Sequence, residues 1–174
     1  MPSQEAISLV AIGPEQRIVL ENLFELYCYD FSEQLPLELK ASGRFEIPLD
    51  EAWWKRDDHF PFFIMAGSTL VGFALARRGS RVSGAAEVMD VAEFFVVRGS
   101  RGRGVGARAA RALFAKFASS WEVRVRASNS GALQFWGRAV QGWLGRSVEP
   151  ASLSLEGVPW HVLSVPGGPA HLEP

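Results

Sequence analysis

The chain has 174 residues, 48% of them apolar and 21% charged, which suits one soluble globular domain over residues 1–174 and excludes fibrous and disordered classes. Eighteen basic against nineteen acidic side chains give a net charge of -1, arguing against nucleic-acid or anionic-membrane binding through bulk charge. The one cysteine, Cys28, excludes an internal disulfide and a cysteine-based zinc site, so a reducing cytoplasmic setting without a bound metal is expected.

The first basic residue is Arg17, and the apolar stretch 7–12 stops at Gly13-Pro14, so neither an export signal nor a membrane span is expected. Residues 5–12 read as a strand, and Pro14 suits a helix start. Ile18, Leu20, Leu23, Phe24, Leu26 and Tyr27 recur at three- and four-residue spacing and predict an amphipathic helix over 15–30. Pro36 and Pro48 break the next segment, where Asp50 can cap only a short helix. Phe60–Ala66 and Thr69–Arg77 are apolar runs around a Gly67-Ser68 turn, a hairpin that needs cover on both faces. After a polar loop, Glu87–Val97 has the β-branched and aromatic content of a buried strand. A helix follows from Val105, then a strand over Trp121–Ala127 with Val123 and Val125 facing away from Arg124 and Arg126. A second helical stripe runs from Ala132 to Leu144, two strands fit near 152–157 and 160–165, and the Gly/Pro-rich tail 166–174 reads as frayed. The order predicts a mixed α/β domain with helices on both faces of a largely antiparallel sheet.

Four glycines and three arginines occupy the nine residues Arg98 to Gly106, a segment that cannot be core and that ends where a helix begins. A helix start presents unpaired N–H groups and partial positive charge, and Gly102, Gly104 and Gly106 remove the Cβ atoms that would hold an anion away. Arg98, Arg101, Arg103, Arg108 and Arg111 add charge with no carboxylate between them in the sequence, so a diphosphate is the expected ligand, against the plainer reading of a solvated turn. No Gly-Lys-Ser/Thr completes a Walker A loop. Gly102-x-Gly104-x-x-Ala107 fits the dinucleotide spacing, but it follows a hairpin and leaves 67 residues, too few for a doubly wound sheet.

Val96-Val97-Arg98-Gly99-Ser100-Arg101-Gly102-Arg103-Gly104-Val105-Gly106 resembles the acetyl-CoA signature of the GNAT N-acetyltransferase superfamily, a strand ending in valine followed by Arg/Gln-x-x-Gly-x-Gly/Ala. Downstream, Asn129-Ser130-Gly131-Ala132-Leu133-Gln134-Phe135-Trp136 resembles that family's Asn-x-x-Ala-x-x-Phe-Tyr segment. The resemblance implies a sheet of about seven strands with a splayed parallel pair around the cofactor. It implies that main chain around Phe95, Val96 and Val97 pairs with pantetheine, and that N–H groups of Arg101, Gly102, Arg103, Gly104, Val105 and Gly106 cradle the pyrophosphate. Asn129 would bond the pantetheine, while Ala132, Phe135 and Trp136 would line the wedge; for Phe135 plain helix core is the competing reading.

Acetyl-CoA as co-substrate and direct transfer to a primary amine of a small molecule or peptide are the implied chemistry. The alternatives are a CoA-binding domain without turnover and, from another class, a nucleic-acid-contacting module. The candidate bases are Asp90 and Glu93, which opposite parity would place on different faces of a regular strand; the dry surroundings of Phe94 and Phe95 favour Glu93. An ion pair with a neighbouring arginine is the structural alternative for Glu93. Trp136 stands where many members carry an acidic tyrosine, which leaves Tyr27, Tyr29, Cys28 or water to protonate the thiolate. His59 is a further candidate base, although a lone histidine is more often structural. Between Asp30 and Asp58 eight acidic residues face four basic ones, a lip suited to a cationic amine or simply a solvated surface. No nucleic acid or membrane partner is expected, and an oligomer is compatible with the sequence.

Overall fold

A computed structural model describes residues 5–167. The strands are β1 (Ile7–Ala11), β2 (His59–Ala66), β3 (Thr69–Arg78), β4 (Met89–Val96), β5 (Trp121–Arg126), β6 (Ala151–Leu155) and β7 (Val158–Val165). They form one seven-stranded sheet in the order β1-β2-β3-β4-β5-β7-β6, antiparallel throughout except for the β4–β5 pair. The helices are α1 (Arg17–Phe31), the single turn α2 (Ala52–Lys55), α3 (Val105–Ala115) and α4 (Ser130–Leu144). Every predicted element is present; the strand expected from Glu87 starts at Met89, because Glu87 lies in a turn. The tail expected to fray lies largely outside the described residues, and within them the Gly167 N–H donates to Ser120 Oγ at 3.0 Å.

Strand alternation sorts the core into two layers. Phe62, Ile64, Val91, Val123 and Val125 face α3 and α4, where they meet Leu113, Phe114, Trp136 and Val140. Phe63, Phe73, Leu75 and Phe95 face α1 and α2, against Leu20, Leu23 and Trp53. The loop between α1 and α2 is tied down by Glu25, whose carboxylate accepts the N–H groups of Phe45 at 2.7 Å and Glu46 at 3.0 Å. As expected of a cap, the Asp50 carboxylate accepts the Ala52 N–H at 2.8 Å. Among the described residues no helix is long and apolar enough to cross a membrane.

Two irregularities of the β3–β4 ladder bear on the site. Gly72 sits opposite Val96, and a Cβ there would lie 2.0 Å from the Phe95 carbonyl oxygen. Gly72→Ala is therefore expected to destabilise the fold by about 3 kcal/mol, since backbone rather than a mobile side chain would have to yield; urea denaturation checks this. The second irregularity is a bulge in β4, where Leu75 pairs with Glu93 but Ala76 pairs with Val91, leaving Ala92 unmatched.

Candidate active site

The β4–β5 pairing lasts only from Met89 opposite Trp121 to Val91 opposite Val123, after which the two strands part. The Ala92 bulge sits at the parting point and resets the alternation of β4. Beyond it, the Val97 N–H donates to the Val71 carbonyl at 2.9 Å, so Phe95 and Val97 turn their polar groups to β3 while those of Phe94 and Val96 point into the gap. Of the three residues expected to pair with pantetheine, Val96 alone faces the gap, and its carbonyl already accepts Arg101 Nε at 2.7 Å. Phe94 was missed because the bulge has no local sequence signature.

The same bulge corrects the expectation for the carboxylates. A regular strand would put Asp90 and Glu93 on opposite faces; the extra residue brings both to the α1 face, opposite Arg77 and Leu75 respectively. Their surroundings differ. Asp90 is fully buried and receives Arg77 Nε at 2.9 Å and both Arg124 Nε and Nη2 at 3.1 Å, so the arginine ion pair weighed for Glu93 forms at Asp90 instead. Among the described residues Glu93 has no ion-pair partner within hydrogen-bonding distance; its Oε2 accepts the Tyr27 hydroxyl of α1. Burial, the largest influence, pushes the Glu93 carboxyl above the ordinary carboxylate range, against the opposing pull of the Tyr27 hydrogen bond and the Arg124 and Arg77 charges. Burial and the adjacent Glu93 charge push the Tyr27 hydroxyl well above its usual value, so Tyr27 holds its proton and acts as a donor.

Both side chains border a cavity of about 930 Å³ that opens on the α1 side and reaches through the gap, between Val91–Phe94 and Val123–Arg126, to Asn129, Ala132 and Trp136 of α4. Asn129 Oδ1 accepts the Ala132 N–H at 2.9 Å, capping α4 and leaving the amide NH2 as a donor toward the gap. Phe135 does not border the cavity; it stacks on Phe94 at 5.8 Å and fills the space where a Gly106 Cβ would lie, 3.0 Å from its Cε2. Trp136 is buried against Phe94, Phe114 and Phe135. Of the other proton donors weighed from sequence, Tyr29 is exposed, while Cys28 borders the cavity with its thiol pushed up to about 11, chiefly by burial. His59 Nδ1 is bonded to Asp58 at 2.6 Å and its ring abuts Trp53.

At the far end of the gap, Gly102 and Gly104 take left-handed φ values of +77° and +74°, and nothing lies within 4 Å of where either Cβ would be. Gly104 is the N-cap of α3 and its carbonyl accepts the Arg108 N–H at 3.1 Å, so the preceding N–H groups of the first turn are outside the helical ladder. The arginine charge is less free than the sequence suggested. Asp30 at the end of α1 accepts Arg98 Nε at 2.7 Å and the Arg101 guanidinium, and these bonds outweigh its burial and hold its carboxyl below the usual range. A carboxylate 68 residues before Arg98 thus clamps the loop from across the fold.

A mixed sheet that splits between a parallel strand pair, with a glycine turn opening a helix beyond the split, is an acetyltransferase-like fold. The profile of the acetyltransferase (GNAT) family matches residues 20–143, and the chain belongs to that family. No curated protein matches the sequence. Among solved structures, the chain is similar to an acetyltransferase from Thermus thermophilus (TM-score 0.68, 20% identity, 91% of this chain and 97% of that one). It is also similar to AAC(6')-Ib in complex with paromomycin and acetyl-CoA (0.65, 13%, 92% and 94%). A third neighbour is Arabidopsis thaliana NAA60 in complex with acetyl-CoA (0.57, 15%, 91% and 97%).

Proposed function

We propose that the protein is an acetyl-CoA-dependent N-acetyltransferase that transfers the acetyl group directly to a primary amine, with Glu93 as the base. The observation that carries this reading is the cavity passing through the β4–β5 split, with the Tyr27–Glu93 pair on one side and the Asn129 amide on the other. The residues fit the co-substrate: open space before Gly102 and Gly104 admits a diphosphate, while the Phe94 main chain and the Val96 N–H offer strand-like partners to an amide-bearing arm. The structures of NAA60 and AAC(6')-Ib, both in complex with acetyl-CoA, support the choice of ligand by similarity.

Bound acetyl-CoA supplies the thioester, so that a nitrogen–carbon bond forms, the carbon–sulfur bond breaks, and an ammonium acceptor loses two protons, one of which leaves with the thiol. Glu93 takes the first proton, directly or through water, which a raised carboxyl does with a better match to a neutral medium. Tyr27 is a positioning residue that fixes the carboxylate and lowers its pKa. The Val96 N–H faces the gap and is placed to donate to an oxyanion there. Since Tyr27 is committed to Glu93, the departing thiolate takes its proton from Glu93 or water, consistent with the modest basicity of a thiolate.

Thiol release from acetyl-CoA across a panel of primary amines tests the reading, alongside calorimetry with CoA. Turnover with any amine supports it. CoA binding without release across the panel would favour a binding domain without turnover, and flat heats with CoA would overturn both.

A further inference from the structure

The acidic lip of the 30–58 segment does not face the acceptor side of the cavity. Asp30 is held by Arg98 and Arg101, Glu51 by Arg17 and Lys55, and Asp58 by Arg56 and His59; of the eight acidic residues only Asp50 borders the cavity, exposed at its rim. Four arginines border it instead: Arg77, Arg81, Arg124 and Arg126. Arg77 and Arg124 share Asp90, and Arg81 is exposed. Arg126 differs from all three. It is half-buried, yet no carboxylate pairs with it among the described residues; its guanidinium lies 5.1 Å over the Trp160 ring, opposite it on β7, a ring that the Arg124 guanidinium also approaches, at 5.4 Å. Two residues along β5 from Arg124, it shares the face that holds Asp90 and Tyr27, and its charge is felt at the Tyr27 hydroxyl. Glu156, the remaining bordering carboxylate, sits exposed at the β6–β7 turn.

A partly desolvated guanidinium without a counter-charge, seated on an aromatic face that leaves its N–H edge free, is a carboxylate site awaiting its anion. Resting on the acetyl-transfer reading, we propose that the acceptor carries a carboxylate as well as the amine, as an amino acid or short peptide does, and that Arg126 binds this carboxylate while Glu93 receives the amine. Such a pairing excludes polyamines, which would bring a second cation to the guanidinium. A phosphate of the nucleotide thiol is the rival anion, and the two sources separate experimentally.

The test offers the standard amino acids and small peptides, each against its own C-terminal amide, with spermidine as the dicationic control. The best acid is expected to exceed its amide about 30-fold in kcat/KM, the range of a hydrogen bond to a charged group. Arg126→Met, which keeps an aliphatic stem over Trp160, should shrink that ratio to below about threefold through KM while CoA affinity stays within about twofold; Arg126→Lys should restore part of it. Acids and amides of equal efficiency, or spermidine as the best acceptor, would overturn the proposal. So would an Arg126→Met variant that loses CoA affinity as strongly as acceptor affinity, since the anion would then be the nucleotide's. Should no amine be acetylated, calorimetry of the same pairs into CoA-loaded protein still decides: carboxylate-dependent heats abolished by Arg126→Met would uphold the Arg126 site while the transfer reading fails, and flat heats for every acid would sink both.

Discussion

Glu93→Gln is expected to lower kcat by about 100-fold or more while leaving the Kd for acetyl-CoA unchanged. The alternatives are poorly placed or spent: Asp90 is saturated by two arginines, Tyr27 holds its proton too tightly to act as a base, and Asp50 and Glu156 sit exposed at the cavity's edge. The pH dependence carries a sign. The base works ionised and burial raises its pKa, so the acidic limb of kcat/KM should lie above the ordinary carboxylate range and disappear in Glu93→Gln. The Tyr27 hydrogen bond pulls that pKa down, so Tyr27→Phe should move the limb to still higher pH, a shift that a merely packing tyrosine would not cause. Stability runs the other way. A carboxyl whose folded pKa is raised favours folding fully only below its unfolded pKa, and that contribution is lost as pH rises through the folded value. Glu93→Gln should therefore melt higher than wild type at neutral pH, with the gap closing as pH falls toward the ordinary carboxylate range. Wild-type turnover in Glu93→Gln would remove Glu93 from the chemistry and shift the role to water.

Glu93 also shows how far a sequence can carry a site. The strands, the helices and the glycine loop follow from local periodicity and turn chemistry, so the architecture is legible residue by residue. The face that each carboxylate occupies is not. It depends on Ala92, an unremarkable residue in a hydrophobic run, slipping out of register between β3 and β4; the slip turns Glu93 toward Tyr27 and Phe94 toward the gap. Tyr27 is recognisable as one of several candidate donors to the thiolate on an amphipathic helix, but its commitment to Glu93 instead follows from α1 docking on the sheet, which exposes Tyr29 and packs Tyr27 against Phe73 and Phe95. The charge of the arginine loop looks unopposed in sequence because its opponent, Asp30, belongs to another element, and the acidic lip looks available because its partners are scattered from Arg17 to Arg101. Arg126 escaped notice for the opposite reason: a strand arginine is ordinary until its neighbours' counter-charges are seen to be spent.

Gly104→Glu is expected to weaken CoA binding by more than about 100-fold, which calorimetry reads directly, because two costs act at one atom. At φ +74° any L residue is strained, by roughly 1–2 kcal/mol. Its carboxylate would also stand before the unpaired N–H groups of α3, in the space the diphosphate needs, where like charge and lost hydrogen bonds add to the steric block. The fold should survive, since nothing lies within 4 Å of the new Cβ, and thermal melting without ligand should shift by only a few degrees. Gly106→Ala is the contrasting variant. Its Cβ would press on Phe135 Cε2 at 3.0 Å, between α3 and α4, so it should lower the melting temperature with a smaller loss of affinity. If Gly104→Glu bound CoA as tightly as wild type, the phosphates would have to lie elsewhere, and the open left-handed turn ahead of α3 would be a solvent loop and nothing more.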